Sequence, residues 1–185
     1  MKSPFPEIRI INIKNKYRFS LSLHWPWANQ NIDVVFGDEI TKKNINTIRL
    51  PNIQNIDNKI DYIKTRAIAD SEALKLRCSD INIYTSFEPK GNISKLLYAV
   101  AEKIRYESIG SAYFKGVKEN LNQYYDVKSK QKKNYKNIDY EFVDAFENYL
   151  RGKVFKFNNN KEIENKYKKY KKKLDIKLKD KLDLL

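Results

Sequence analysis

The chain has 185 residues and a mass of 22.0 kDa, enough for one domain with its own core and too little for two large ones. Its 41% apolar and 13% aromatic content excludes wholesale disorder, while the longest apolar run, Leu96 to Ala101, is far short of the roughly 20 residues that span a bilayer. The formal charge of +14 keeps polyanion binding open as a class, although residues 127–185, with 18 basic and 9 acidic side chains, hold most of the excess.

The first fifty residues have strand character. Residues 8–23 alternate, with Tyr17, Phe19, Leu21 and Leu23 on one side and Arg18, Ser20 and Ser22 on the other. Ile8 to Ile13 supplies a hairpin partner across Lys14–Lys16. A second strand pair is predicted over Ile32–Phe36 and Thr47–Leu50, with Gly37-Asp38 opening the connection and Pro51 closing it.

The period then lengthens. Ile60, Ile63, Ala67, Leu74 and Cys78 recur at spacings of three and four or their sums, which places them on one face of a helix over 58–78. Ile81–Gly91, with Pro89, reads as a connection. A helix over 93–108 carries Leu97, Val100, Ala101 and Ile104, with Gly110 as a stop or a kink, and another over 112–125 carries Phe114, Val117 and Leu121, with Tyr125 as a candidate next position. Val127–Lys136 reads as a solvated linker.

Ile138, Phe142, Phe146 and Leu150 define a further helical face, and Ile163, Tyr167, Tyr170, Leu174 and Leu178 the last one, whose opposite side is nearly all Lys. Residues 1–126 therefore form the N-terminal domain and 127–185 a Lys-rich helical extension of it. The expected fold class is α+β, with N-terminal antiparallel β-hairpins over residues 8–50 packed on a mainly α-helical bundle. The Lys side reads as a solvated surface. The alternative is a basic nucleic-acid-binding module, with Tyr167 and Tyr170 as stacking platforms.

Chemical motifs are sparse. None of the five glycines belongs to a G-x-x-x-x-G-K-[ST] loop, so no nucleotide cradle is expected. One histidine, His24, and one cysteine, Cys78, on different predicted elements do not make a transition-metal site. His24 falls in the aromatic cluster His24-Trp25-Pro26-Trp27 and reads as a packed corner, and Cys78 as a small core residue that cannot form an intrachain disulfide. With no signal-like apolar stretch at the N-terminus, a cytoplasmic location is expected. The carboxylates carry more information: Arg66 and Asp70 are four apart, Glu102 and Arg105 three apart, and each pair meets on one helix face. Asp70 lies in or beside the apolar stripe, where a carboxylate must be paired or hydrogen-bonded.

These residues lie in a segment with a family likeness. Arg66-Ala67-Ile68-Ala69-Asp70-Ser71-Glu72-Ala73-Leu74-Lys75-Leu76-Arg77-Cys78 resembles the R-x-x-A-D-S-x-A-L-x-L-x-C signature of CobT subunits of aerobic cobaltochelatase. Glu88-Pro89-Lys90-Gly91 is similar to the family's A-P-x-G turn, and Ala101 to Gly110 to its E-x-x-R-x-E-x-I-G helix. Gly116-Val117-Lys118-Glu119-Asn120-Leu121 resembles its G-V-x-x-N-L. Ser79 stands where the family usually has a histidine. The family's acidic linker and von Willebrand A-type domain have no counterpart, so the chain reads as a fragment or a shortened form.

The resemblance implies a subunit of the ATP-dependent cobaltochelatase of cobalamin biosynthesis, a ligase that inserts cobalt into hydrogenobyrinic acid a,c-diamide. Its implied partners are the AAA+ ATPase subunit CobS and the large subunit CobN, in a ring-type assembly. ATP, Mg and cobalt belong to the complex, with no cofactor or metal on this chain and no membrane. This chain is expected to be non-catalytic, with Arg66, Asp70, Glu102, Arg105 and Glu107 as structural or partner-interface polar ties.

Overall fold

The computed structural model describes residues 7–13, 16–22, 33–36, 47–50, 59–131, 135, 137–155 and 161–182. The aromatic cluster His24–Trp27, the Gly37-Asp38 turn and Pro51 lie outside them, as does most of the 132–136 linker. The chain divides into two compact units, Met1–Thr65 and Arg66–Leu185.

In the first unit β1 (Glu7–Ile13) runs antiparallel to β2 (Lys16–Ser22), with Ile10 opposite Phe19, and β3 (Asp33–Phe36) pairs with β4 (Thr47–Leu50). The β3–β4 ladder is parallel, with Asp33 opposite Thr47 and Phe36 opposite Leu50, which corrects the expectation of antiparallel hairpins. Alternation has the same period in both directions, so it cannot report strand polarity. The length of the 37–46 connection, beyond the usual two to five residues of a hairpin loop, is the cue that could have done so.

The α+β assignment is itself overturned. The part of the chain whose packing can be followed is helical almost throughout, and among the described residues of Arg66–Leu185 there is no strand. Two isolated two-stranded ladders, one only four residues long, do not amount to a sheet layer. The fold class is all-α.

The helices are α1 (Lys59–Cys78), α2 (Ile81–Ser86), α3 (Asn92–Tyr113), α4 (Lys115–Lys130), α5 (Ile138–Val154) and α6 (Lys161–Leu182). Their boundaries follow local chemistry. The Asp80 carboxylate accepts the Asn82 and Ile83 amides at 2.8 and 3.2 Å, so α2 begins inside the segment expected to be a connection. Asn137 caps α5 through the Asp139 amide at 2.9 Å. Asp139 and Glu141 in the first turn of α5, with Arg151 and Lys153 in its last, complement the helix dipole. Phe114, in extended backbone at φ −124°, ends α3 and starts α4.

Helix α3 runs past Gly110 to Tyr113 instead of stopping there. Tyr106 on α3 joins Ala67, Leu74, Leu121 and Tyr125 in one apolar cluster with α1 and α4. Ile104, two residues earlier, joins Tyr149, Leu150 and Leu174 in a second cluster with α5 and α6. Edge-on ring pairs, Phe142 with Tyr170 and Tyr149 with Tyr167, close the α5–α6 seam.

Candidate functional site

Two positions of α3, Glu102 and Glu107, each gather several polar contacts. Glu107 is fully buried, and four side chains from three other helices and from α3 itself converge on it. Ser71 of α1 donates to Oε1 at 2.6 Å, Arg151 of α5 donates through Nη1 to Oε2 at 2.7 Å, and Tyr125 of α4 donates at 3.2 Å. Lys103, one turn back on α3, lies at 4.0 Å. Arg151 is buried too; its Nη2 donates to the Tyr125 hydroxyl at 2.6 Å, and its guanidinium lies 3.5 Å from the centre of the Tyr125 ring. Its Nε reaches Glu147 at 3.2 Å, and Lys128 of α4 binds that carboxylate at 2.9 Å. The planar fork of Arg151 thus satisfies three acceptors on two other helices and its own.

Burial alone would raise the Glu147 pKa, but Lys128 and Arg151 beside it hold it down to about 2. A carboxyl depressed in the folded state stabilises above its unfolded pKa and loses that contribution as pH falls toward the folded value. Glu147 is therefore expected to contribute fully above about pH 4.5, the ordinary glutamate value, and progressively less down to about pH 2. Glu102 acts in the same direction, lowered chiefly by the hydrogen bond from Arg105. Asp70, raised by burial, opposes them. In an acid titration followed by circular dichroism, Glu147→Gln should flatten the loss of stability between those limits; an unchanged profile would remove Glu147 as its source.

The second cluster ties α1 to α3. Arg105 donates from Nε to Glu102 at 2.6 Å, and from Nη2 both to Glu102 at 2.8 Å and to the Cys78 carbonyl, one of the unpaired carbonyls at the end of α1. The Ser79 hydroxyl donates to Glu102 at 2.6 Å. Arg105 remains partly exposed, whereas its partner Glu102 is mostly covered. A third group lies on α1 and α4: Arg66 meets Asp70 at 3.3 Å, and the Asn120 amide donates to Asp70 at 2.7 Å.

The five residues singled out from the sequence thus fall into three separate groups: Arg66 with Asp70, Glu102 with Arg105, and Glu107 with partners that spacing had not indicated. Ser71, Asn120, Tyr125 and Lys128 were missed because their partners lie 18 to 50 residues away, whereas Glu147 and Arg151 are four apart on α5, a spacing that could have found them as it found Arg66 and Asp70. A second signal was available for Arg151. The chain uses Lys 30 times and Arg seven times, and an Arg kept in so Lys-rich a sequence points to a position that needs the guanidinium fork.

Burial pushes the Cys78 thiol above its ordinary value, against the pull of Arg77 and Arg105, so it is a weak nucleophile packed beside the first apolar cluster. Among the described residues no three His, Cys, Asp or Glu side chains gather as a metal site, and no helix is long and apolar enough to cross a membrane.

The fold and these contacts define an all-α domain whose central helix carries one buried acidic side chain, Glu107, neutralised from a neighbouring helix by Arg151. The family model described as cobalamin biosynthesis protein CobT matches residues 28–144, more than half of the chain, and the chain belongs to the CobT family. No solved structure matches it.

Proposed function

We propose that this domain is a non-catalytic assembly part of the ATP-dependent aerobic cobaltochelatase, joining an AAA+ ATPase subunit of the CobS type to a large CobN-type subunit that holds the tetrapyrrole. Membership of the CobT family supports the pathway. The observation that carries the assembly role is the state of the polar residues: Arg151 engages Glu107 and Glu147, and Asp70 is engaged separately by Arg66 and Asn120, all inside the domain. Groups committed to holding helices together serve a scaffold, and ATP, Mg and the cobalt being inserted belong to the other subunits.

The test is reconstitution. The chain should co-purify with the ATPase subunit and should have no ATPase activity alone. ATP-dependent cobalt insertion by the CobS-type and CobN-type subunits should fall on its omission or on competition with an excess of the isolated domain. Failure to bind either subunit, or cobalt insertion by the chain alone, would refute the proposal.

The nucleic-acid alternative finds less support. Tyr167 and Tyr170 pack edge-on against Tyr149 and Phe142, so the stacking surfaces it needs are already in use.

A further inference from the structure

The inward side of α6 is taken by Tyr167, Tyr170, Leu174 and Leu178. By the 3.6-residue period, Asn165, Lys169, Lys172 and Ile176 lie along the opposite side, flanked by Lys168 and Lys173, while Lys177, seven residues from Tyr170, sits at the edge of the inward side. Lys168, Lys169, Lys172, Lys173 and Lys177 are all exposed. Ile176, in the midst of these lysines, is 72% exposed on a side that makes no contribution to the apolar cluster. Lys169 is engaged by Glu141 at 3.2 Å, Lys171 by Glu164 at 2.8 Å, and Lys173 lies over the Phe142 ring. Among the described residues Lys168 and Lys172 make no ion pair, so the face keeps a positive excess around an apolar centre.

That combination selects among occupants. A second copy of the same face is excluded by like-charge repulsion. A membrane surface would need a broad apolar stripe opposite the core, and among the described residues the outer side of α6 offers one isoleucine, Ile176. Single-stranded nucleic acid would need ring faces on this side, and the described tyrosines of α6 point inward. An acidic polypeptide fits both features, its carboxylates meeting the lysines and an apolar residue covering Ile176.

We propose that the outer face of α6, with Lys168, Lys169, Lys172 and Lys173 beside Ile176, docks an acidic protein segment that carries an apolar anchor residue. The proposal concerns a surface separate from the Glu107 network and stands or falls apart from the chelatase reading.

The experiment uses the full chain and two synthetic helical peptides, both Glu-rich and equal in charge, one with leucines spaced three and four apart and one with serines in their place. Binding is measured by fluorescence anisotropy at about 0.15 M salt, where weak long-range attraction is screened. The leucine peptide should bind about tenfold more tightly than the serine peptide, and Ile176→Ser should remove that difference while leaving the unfolding temperature unchanged. Lys168→Glu with Lys172→Glu should weaken both peptides. Equal binding of the two peptides, no binding of either, or indifference to Ile176→Ser would overturn the proposal. So would tighter binding of a poly-uridine RNA that does not depend on Ile176.

Discussion

Arg151→Met should lower the stability of the domain by about 3–5 kcal/mol, because it leaves the Glu107 carboxylate buried without its main counter-charge. For a chain of this size that is roughly 6–20 °C in unfolding temperature, read by differential scanning calorimetry. The loss exceeds what a missing hydrogen bond would produce. Removal of the guanidinium also frees the Tyr125 hydroxyl and ring from their closest cation and takes one of two cations from Glu147. Arg151→Lys should restore little of the loss, since a single ammonium cannot span Glu107, Tyr125 and Glu147 together. Removing both charges, as in Glu107→Leu with Arg151→Met, should recover about half of it or more, since a buried pair replaced by apolar groups is often close to neutral. A loss under about 1 kcal/mol for Arg151→Met would show that the pair does not organise the interior.

Gly110→Val should cost about 2–3 kcal/mol, at the upper end of the range for overfilling a packed interior. A Cβ built on Gly110 would stand 2.2 and 2.4 Å from the two methyls of Leu74 and 2.8 Å from its Cγ. Rotation about the leucine's Cβ–Cγ bond moves only its methyls; clearing Cγ takes either a change of χ1 inside the packed cluster or a separation of α1 and α3. Gly110→Ala makes the same collision with a smaller group and gains roughly 1 kcal/mol of helix propensity, so its net loss should be smaller. The diagnostic measurement is a double-mutant cycle in urea. Leu74→Ala alone should cost about 2–5 kcal/mol, yet combined with Gly110→Val the total should fall below the sum, because the valine methyls occupy the space the leucine vacates. Strict additivity would mean that Gly110 matters for a reason other than Leu74.

What the sequence disclosed and what it hid divide along physical lines. Helical faces were readable because apolar spacing is a local signal: Leu74, Ile104, Leu121, Leu150 and Leu174 all occupy the buried positions that period predicts. Contacts within one helix, Arg66 with Asp70 and Glu102 with Arg105, were readable for the same reason. Glu107 could be singled out, but not its partner 44 residues on, since no period links two helices that meet only after folding. Gly110 misled because glycine marks both a helix end and a close helix crossing, and only the neighbour decides between them. Strand alternation was detected in the first fifty residues. It misdirected the fold class because alternation says nothing about how many strands will join into a layer.

The placement of Arg151 on α5 has a consequence for synthesis. A ribosome that has released α1 to α4 has exposed Glu107, Ser71 and Tyr125, yet the guanidinium that neutralises their centre is still unmade or inside the exit tunnel. The carboxylate cannot be dehydrated at that stage without a large penalty. Closure of the interior must therefore wait for the chain's second half, and the Lys-rich segment that reads as an appendage delivers the ion that completes the domain.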